Sequence, residues 1–430
     1  MAKQLYNEPS PLETKVLSKR FHLEGSETLD VYLANDGFKA FHKARQMTPE
    51  AIVDEVKTSA LRGRGGAGFP TGLKWSFVPR TSPKPKYIVV NGDESEPATC
   101  KDRLLIEYDP HQLIEGILIA GLALDAHKGY IYIRGEYRFL IEKMERAVDE
   151  AYAKGYLGKN IAGTGFEFDL YVHSGAGAYE CGEETALLDS LEGKRGIPRM
   201  KPPFPAIAGA WACPTLVNNV ETFSAVPAII RDGGKAFLEL GTPKNGGTRL
   251  VCISGHVNKP GVYELPLGFG MMKAINEVAG GVKGGKKLKA VVPGGSSCPI
   301  LKADECDIAM DYDTLAKIGS MLGSGGMVIL DEDTDMVKFA LRIMKFYAHE
   351  SCGWCIPCRE GTTWLKKMLQ RFDDGGGRKE DIPLIGEVAK NMFGRTFCAL
   401  GDAAAMPTMS IIEKFSEDFE KRLARETVAV

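Results

Sequence analysis

No apolar run in this chain is long enough to cross a bilayer. The longest, Leu113–Leu124, holds about a dozen residues with Glu115 among them, against the roughly twenty that a spanning helix needs. An excess of charge of one sign is missing too. Lysine and arginine number 54, aspartate and glutamate 56, and the formal net charge is -2, so no overall pull toward nucleic acid or an anionic membrane is expected. The opening Met1-Ala2-Lys3-Gln4 makes neither an apolar signal core nor an Arg/Ser-rich transit helix, which predicts a chain that stays in the cytosol or is already processed. Ten cysteines scattered over 430 residues do not make a disulfide scaffold, so most should be buried apolar residues unless their spacing says otherwise. There is no internal repeat or low-complexity array.

What is present is an ordinary globular composition, 44% hydrophobic and 26% charged, at a length that implies about two to four domains. One stretch stands out: Glu350-Ser351-Cys352-Gly353-Trp354-Cys355-Ile356-Pro357-Cys358-Arg359. Three cysteines spaced C-x2-C-x2-C aim several thiolates at one small volume, as a metal or iron–sulfur cluster requires. Gly353 and Pro357 argue for a loop here rather than a helical stripe. A compact ferredoxin run would supply another cysteine soon after Cys358, but Thr362 stands there, so the fourth ligand must be remote. Cys398, on a glycine-flanked loop between helices of the same region, fits best. Zinc is the rival, yet four-cysteine zinc sites usually come as two separated pairs, and the spacing favours a [4Fe–4S] cluster.

Upstream, Thr48-Pro49-Glu50 opens a helix, with Thr as cap and Pro in the first turn. It runs into Gly63-Arg64-Gly65-Gly66-Ala67-Gly68-Phe69-Pro70-Thr71-Gly72. Gly63 to Gly68 matches G-x-G-x-x-G, but a dinucleotide fingerprint follows a strand and opens a helix, and here a helix precedes it. The remaining inference is backbone that a flat or phosphorylated ligand can approach closely. Arg64 and Lys74 would add charge; Phe69, Trp75 and Phe77 would add aromatic faces. From Tyr87 the pattern alternates: strand Tyr87–Val90, helix His111–Leu124, strand Tyr130–Ile133, helix Tyr137–Ala153, strand Phe166–Val172, then helix Thr185–Leu191. That is the signature of a parallel α/β sheet, whose ligands sit beyond the strands' carboxyl ends. Two loops fall there: Asn91-Gly92-Asp93-Glu94-Ser95-Glu96-Pro97, and Gly175 to Glu184. The clustered acids are either solvated or hold a ligand's hydroxyl and N–H groups. Lys201, in a basic proline-rich crossing, is either poised over a ligand or part of a stiff linker, and Asn218-Asn219 should begin a helix through Ile230. Strands at Thr248–Ser254, Val262–Leu265, Lys289–Val292 and Met327–Leu330, with a helix Met271–Val278, suggest a small β-grasp-like module. It shows no chemical constellation, and Cys252, Cys298 and Cys306 read as structural. Helices Met336–Glu350, Thr362–Gln370, Leu384–Asn391 and Ala403–Leu423 close the chain.

The stretches 63–75, 91–97, 175–185 and 350–361 together resemble the NADH-binding flavoprotein subunit of respiratory complex I, a family shared with diaphorase subunits of NAD-linked hydrogenases and formate dehydrogenases. Gly92, where the family commonly has alanine, is the one departure. The resemblance implies a glycine-loop segment at 1–75, a Rossmann-like FMN/NADH-binding domain at 76–240, a β-grasp-like domain at 246–332 and a helical [4Fe–4S] domain at 334–430. It implies FMN held by backbone at Gly63 and Gly65, by Lys74, Asn91 and Asp93, and by the Gly182-Glu183-Glu184 turn, with Asn218 and Asn219 at its phosphate end. NADH would stack its adenine between Phe69 and Phe77, with Glu96, Glu184 and Lys201 toward its hydroxyls or nicotinamide end. Cys352, Cys355, Cys358 and Cys398 would ligate the cluster, and Glu94 is a candidate for tuning the flavin. The implied partners are a thioredoxin-like [2Fe–2S] subunit and a large iron–sulfur subunit of a peripheral arm, on the cytoplasmic side of the inner membrane. Direct insertion into the bilayer and nucleic-acid binding are not expected. A diaphorase is the alternative enzyme; a non-catalytic nucleotide-binding zinc scaffold is the alternative of another class.

Overall fold

A computed structural model describes Asn7 and residues 9–423. The opening Met1-Ala2-Lys3-Gln4 and the last seven residues of the expected helical domain lie outside the described residues.

Four short strands, β1 (Tyr87–Gly92), β2 (Lys128–Ile133), β3 (Asp169–Ser174) and β4 (Thr215–Asn219), form a wholly parallel sheet in the order β3-β2-β1-β4. Ile88, Val89 and Val90 are all buried because helices cover both faces, as a parallel sheet demands. The chain builds outward from β1 to β3, then returns to place β4 on the other side of β1. The connections therefore diverge at the carboxyl ends of β1 and β4 and leave a crevice there. The expected start of a helix at Asn218 is corrected: Asn218 and Asn219 end β4, and Asn219 then caps the helix Val220–Asp232, its side chain accepting from the Glu221 N–H at 3.0 Å. Five apolar-to-polar residues after Pro214 carry too little periodicity to distinguish strand from helix. The third strand also begins later than expected, at Asp169, because the Phe168 backbone pairs with Gly158 rather than with β2, exchanging hydrogen bonds at 2.9 and 3.0 Å.

The long apolar run is the helix Pro110–Leu124, buried on nearly every side. Its one carboxylate, Glu115, accepts from the Phe38 and Phe41 N–H groups at 2.9 and 2.8 Å and from the Tyr32 hydroxyl, which anchors the N-terminal segment. A continuous core runs from Leu17 to Phe237 and reaches Leu250 and Cys252 of the next sheet.

That second sheet is mixed: β5 (Thr248–Gly255), β6 (Gly261–Pro266), β7 (Leu288–Val292), β8 (Leu301–Lys302) and β9 (Gly326–Asp331), in the order β6-β5-β9-β7-β8. Parallel β5 and β9 at its centre, flanked by antiparallel pairs, give the β-grasp-like arrangement. The C-terminal bundle comprises Met336–Glu350, Ile356–Asp373, Asp381–Met392 and Ala399–Lys414, then a short helix Ser416–Glu420. Two expectations change here. The last helix breaks at Phe415 instead of running to Leu423. The helix expected from Thr362 starts at Ile356, since Pro357 sits in the first turn, where its missing N–H costs nothing.

Candidate functional site

The glycine loop is closed by its own backbone, with the Gly63 N–H donating to Phe69 O and the Thr71 N–H to Leu61 O, both at 2.8 Å. Tyr312, from the second domain, pins it: the hydroxyl donates to Gly63 O at 2.9 Å and the ring lies against Gly68. Gly68 has φ +66°, and a Cβ there would run into the ring, so only glycine fits. Two expectations fail at this loop. Arg64 is fully buried and points away from the crevice, donating to Gly246 O and Thr248 O at 2.9 and 3.0 Å. Trp75 offers no exposed face; it is buried and its Nε1–H donates to Asn218 Oδ1 at 2.9 Å. Both side chains brace the wall from behind.

The loop forms one side of a cavity of about 830 Å³ at the carboxyl ends of β1 and β4, a volume suited to a cofactor. The structure brings to it Gly63, Gly65, Phe69, Lys74 and Phe77 from the loop and its following helix, and Asn91 from β1. Gly182, Glu183 and Glu184 enter from the turn, with Lys201, Asn218 and Asn219 opposite. Glu183 caps the helix Glu184–Leu191 through the Thr185 and Ala186 N–H groups, and Lys201 reaches it at 2.8 Å. Lys74 pairs with Glu184 at 2.8 Å. Burial alone would raise the Glu184 pKa, but Lys74 and Lys201 outweigh it and hold the carboxyl below its ordinary value. Phe69 and Phe77 are half-exposed at the rim with ring centroids 6.1 Å apart and a 51° tilt, touching one another rather than leaving an open slot.

The acidic loop walls an adjoining chamber of about 490 Å³. Its side chains are not a solvated charge run. Glu94 is buried and accepts from the Asp102 and Arg103 N–H groups at 2.8 and 3.1 Å, capping the helix Lys101–Tyr108. Glu96 accepts from the Tyr179 hydroxyl at 2.7 Å and the Ser297 N–H at 2.8 Å, clasping the first domain to the second. Asp93 accepts from the Ser95 hydroxyl at 3.0 Å. Burial pushes the Asp93 pKa up to about 7 and that of Glu94 to about 8.

Beyond this chamber lies an enclosed apolar niche walled by Cys352, Cys355, Cys358 and Cys398. The three cysteines do not share one loop: Cys352 lies in the loop, Cys355 at the N-cap of Ile356–Asp373 and Cys358 within that helix's first turn. Cys398 is the N-cap of Ala399–Lys414. Two long helices thus present their positive ends to the niche, while burial, with Glu180 alongside, holds the Cys352, Cys358 and Cys398 thiols above their ordinary value. Phe397 N–H reaches Cys355 Sγ at 3.5 Å, and Ser351 Oγ lies 3.2 Å from Cys358 Sγ. Among the described residues no three His, Cys, Asp or Glu side chains close on a single ion, yet four thiols ring one niche. Four thiols around one niche are the donor set that a [4Fe–4S] centre takes. Glu180 and Leu400 wall both the niche and the acidic chamber, so the three voids adjoin in series.

Three family models match in chain order: the Nuo51 FMN-binding domain over residues 56–228, the SLBB domain over 249–337 and the NADH-ubiquinone oxidoreductase-F iron–sulfur binding region over 338–422. An NADH-quinone oxidoreductase F subunit of Rhizobium meliloti (strain 1021) is 51% identical over 405 residues, 94% of this chain and 96% of that protein. The chain belongs to the family of NADH-quinone oxidoreductase F subunits. The F subunit of Rickettsia bellii (strain OSU 85-389) is 54% identical over 376 residues, 87% of this chain and 90% of its own. A chain of an NAD+-reducing [NiFe]-hydrogenase, solved in the H2-reduced state, superposes with a TM-score of 0.84 at 32% identity, covering 97% of this chain and 68% of that one. As a member of the family the protein oxidises NADH with FMN and a [4Fe–4S] centre as cofactors, within complex I.

Sequence reasoning overlooked several wall residues. Phe204 lines the cofactor cavity and is exposed, and its place between Pro203 and Pro205 was the available signal. Glu180 stood in plain view beside Cys181 but had no spacing to mark it. Tyr312 and the Ser296-Ser297 turn lie in the module that seemed to hold no chemistry; only the packing of the domains brings them in.

Proposed function

We propose that FMN occupies the glycine-walled cavity and that NADH enters at the rim marked by Phe69, Phe77 and Phe204. What carries this reading is the series of adjoining voids, from the β1/β4 crevice through the acidic chamber to the niche of four cysteines. When bound, the flavin supplies hydride acceptance and the iron–sulfur centre supplies one-electron acceptance. The chain's residues bind and orient. Backbone at Gly63 and Gly65 admits the flat ligand, Lys74, Asn91 and the Gly182-Glu183-Glu184 turn border it, and Asp93 approaches from the adjoining chamber. Asn218 and Asn219 stand at the end assigned to phosphate. Their amides are already engaged, Asn218 with Trp75 and Asn219 with Asp102, which holds them rigidly in place. Glu184 and Lys201 face the dinucleotide's hydroxyls, while Glu96 contributes through the backbone it fixes. Cys352, Cys355, Cys358 and Cys398 hold the cluster.

Around the niche, Trp354, Ile356, Phe393 and Phe397 are exposed, an apolar surface that a partner would cover. That supports docking of the thioredoxin-like [2Fe–2S] and large iron–sulfur subunits here, with the complex peripheral to the cytoplasmic side of the inner membrane. No helix among the described residues is long and apolar enough to cross a membrane. The two sheets and the bundle support domain limits at 76–240, 246–332 and 334–430, and the described residues before 76 bind both sheets, Leu17 and Ser18 donating to Glu264 of β6. The likeness to the hydrogenase chain favours a diaphorase as the second reading. Anaerobic purification and a visible spectrum test the assignment: flavin bands and a broad brown absorption, both bleached by NADH, are expected. A colourless protein containing zinc would overturn it.

A further inference from the structure

Cys100 and Cys252 take no part in the site described above. Cys100 is exposed at the N-cap of the helix Lys101–Tyr108, and Cys252 is buried within β5. They stand 152 residues apart in sequence, yet the Cys100 N–H donates to Cys252 Sγ at 3.3 Å. The segment before Cys100 is pinned to the second sheet. Thr99 Oγ1 and Ser324 Oγ share a hydrogen bond, and Gly326 of β9 packs so closely under this segment that a Cβ there would lie 2.7 Å from Thr99 Oγ1. On its other side Glu94 caps the same helix. A thiol on each domain is thus held beside the other by backbone that is already fixed.

The two thiols differ in character. The hydrogen bond with Cys252 draws the Cys100 thiol down to about 7 against the effect of burial, and Arg103 assists. The same hydrogen bond and deep burial push the Cys252 thiol well up. An accessible thiolate next to a protonated thiol is the arrangement of an attacking and a resolving cysteine.

We propose that Cys100 and Cys252 form a reversible disulfide, driven by hydrogen peroxide, that locks the wall of the acidic chamber to the second sheet. The Cys100 thiolate attacks one peroxide oxygen and the O–O bond breaks; the departing hydroxide takes a proton to become water, leaving Cys100 as a sulfenic acid. Cys252 sulfur then attacks Cys100 sulfur, the S–O bond breaks, and the Cys252 proton leaves with the hydroxyl as a second water. In sum, two thiols and one peroxide give one disulfide and two waters. A thiol reductant reverses the link by exchange.

The full chain with its cofactors, exposed to a small excess of hydrogen peroxide, quenched with N-ethylmaleimide and digested without reductant, tests this by peptide mass. The expected product is a peptide pair joining Cys100 to Cys252, two hydrogens lighter than the reduced pair and lost on dithiothreitol treatment. Mapping keeps it apart from oxidation of the four niche cysteines. Recovery of Cys100 as a maleimide adduct or sulfinic acid, with Cys252 still a thiol, overturns the proposal. In Cys252→Ser the linked pair should vanish and dimedone should label Cys100; no labelling overturns it. Should that buried variant fail to fold, Cys100→Ser serves, because its Cys252 should survive peroxide as a thiol. Consumption of Cys252 at the wild-type rate in Cys100→Ser would count against the pairing.

Discussion

The turn Gly182–Glu184 and the loop Asp93–Glu96 wall adjoining chambers and carry five carboxylates between them, yet the fold treats them oppositely. At the turn, Glu183 and Glu184 are matched with Lys201 and Lys74, so charge stays on the cavity surface in compensated pairs. In the loop the carboxylates are turned inward and matched with N–H and hydroxyl donors; Glu94 caps a helix and Glu96 clasps two domains. A carboxylate paired with a cation keeps its charge under burial, whereas at Asp93 and Glu94 desolvation outweighs the donors, which favour the anion, and the proton is held. The same residue type at the same kind of strand-end position therefore presents anions on one side and structure on the other.

Removing the inward acids should cost most. Glu94→Ala deletes a helix cap and leaves two N–H groups unpaired, and about 2–4 kcal/mol of stability should be lost in urea unfolding. A loss of a few tenths would mean that Glu94 is a surface acid like its counterparts. The pH dependence comes next. Unfolded, Asp93 and Glu94 ionise near 3.8 and 4.5, but folded they keep their protons until about 7 and 8. The folded chain binds the extra protons between those limits, so stability should fall as pH rises through this window, by up to about 1.4 kcal/mol per pH unit for each group. Asp93→Asn should flatten part of that slope. Glu184 works in the other direction: its depressed pKa gives stability above about 4.5 that is lost as pH falls further. Glu183→Ala, which removes a more accessible cap from a helix of the same length, should cost about 1 kcal/mol. Smallest of all, Lys201→Met breaks a partly exposed pair and should change stability by less than about 1 kcal/mol; its effect should appear in the KM for NADH instead.

Much of this site could be read in the sequence because its elements are punctuated locally. The cysteine run, Cys398 and the glycine loop each sit at breaks in periodicity that glycine and proline enforce. Thr48 caps its helix as expected, accepting from the Ala51 N–H at 3.2 Å. Side-chain direction was less legible. Arg64, Trp75 and Glu96 belong to the correct segments but point into packing, because their partners, Gly246, Asn218 and Ser297, lie far away in sequence. The strand Thr215–Asn219 was illegible for a related reason: it exists as a strand through its pairing with β1.

The parallel α/β sheet, the glycine loop at its strand ends and the four thiols of the niche were all written along the chain. They follow from period, from strand-to-helix alternation and from residue types with few other uses. Three-dimensional packing alone settled which carboxylates remain charged, which cations line the cavity, that Tyr312 braces the glycine loop and that Ser297 completes the wall of the acidic chamber. Those outcomes depend on burial and on donors brought in from distant segments, and neither is a property of a residue and its neighbours along the chain.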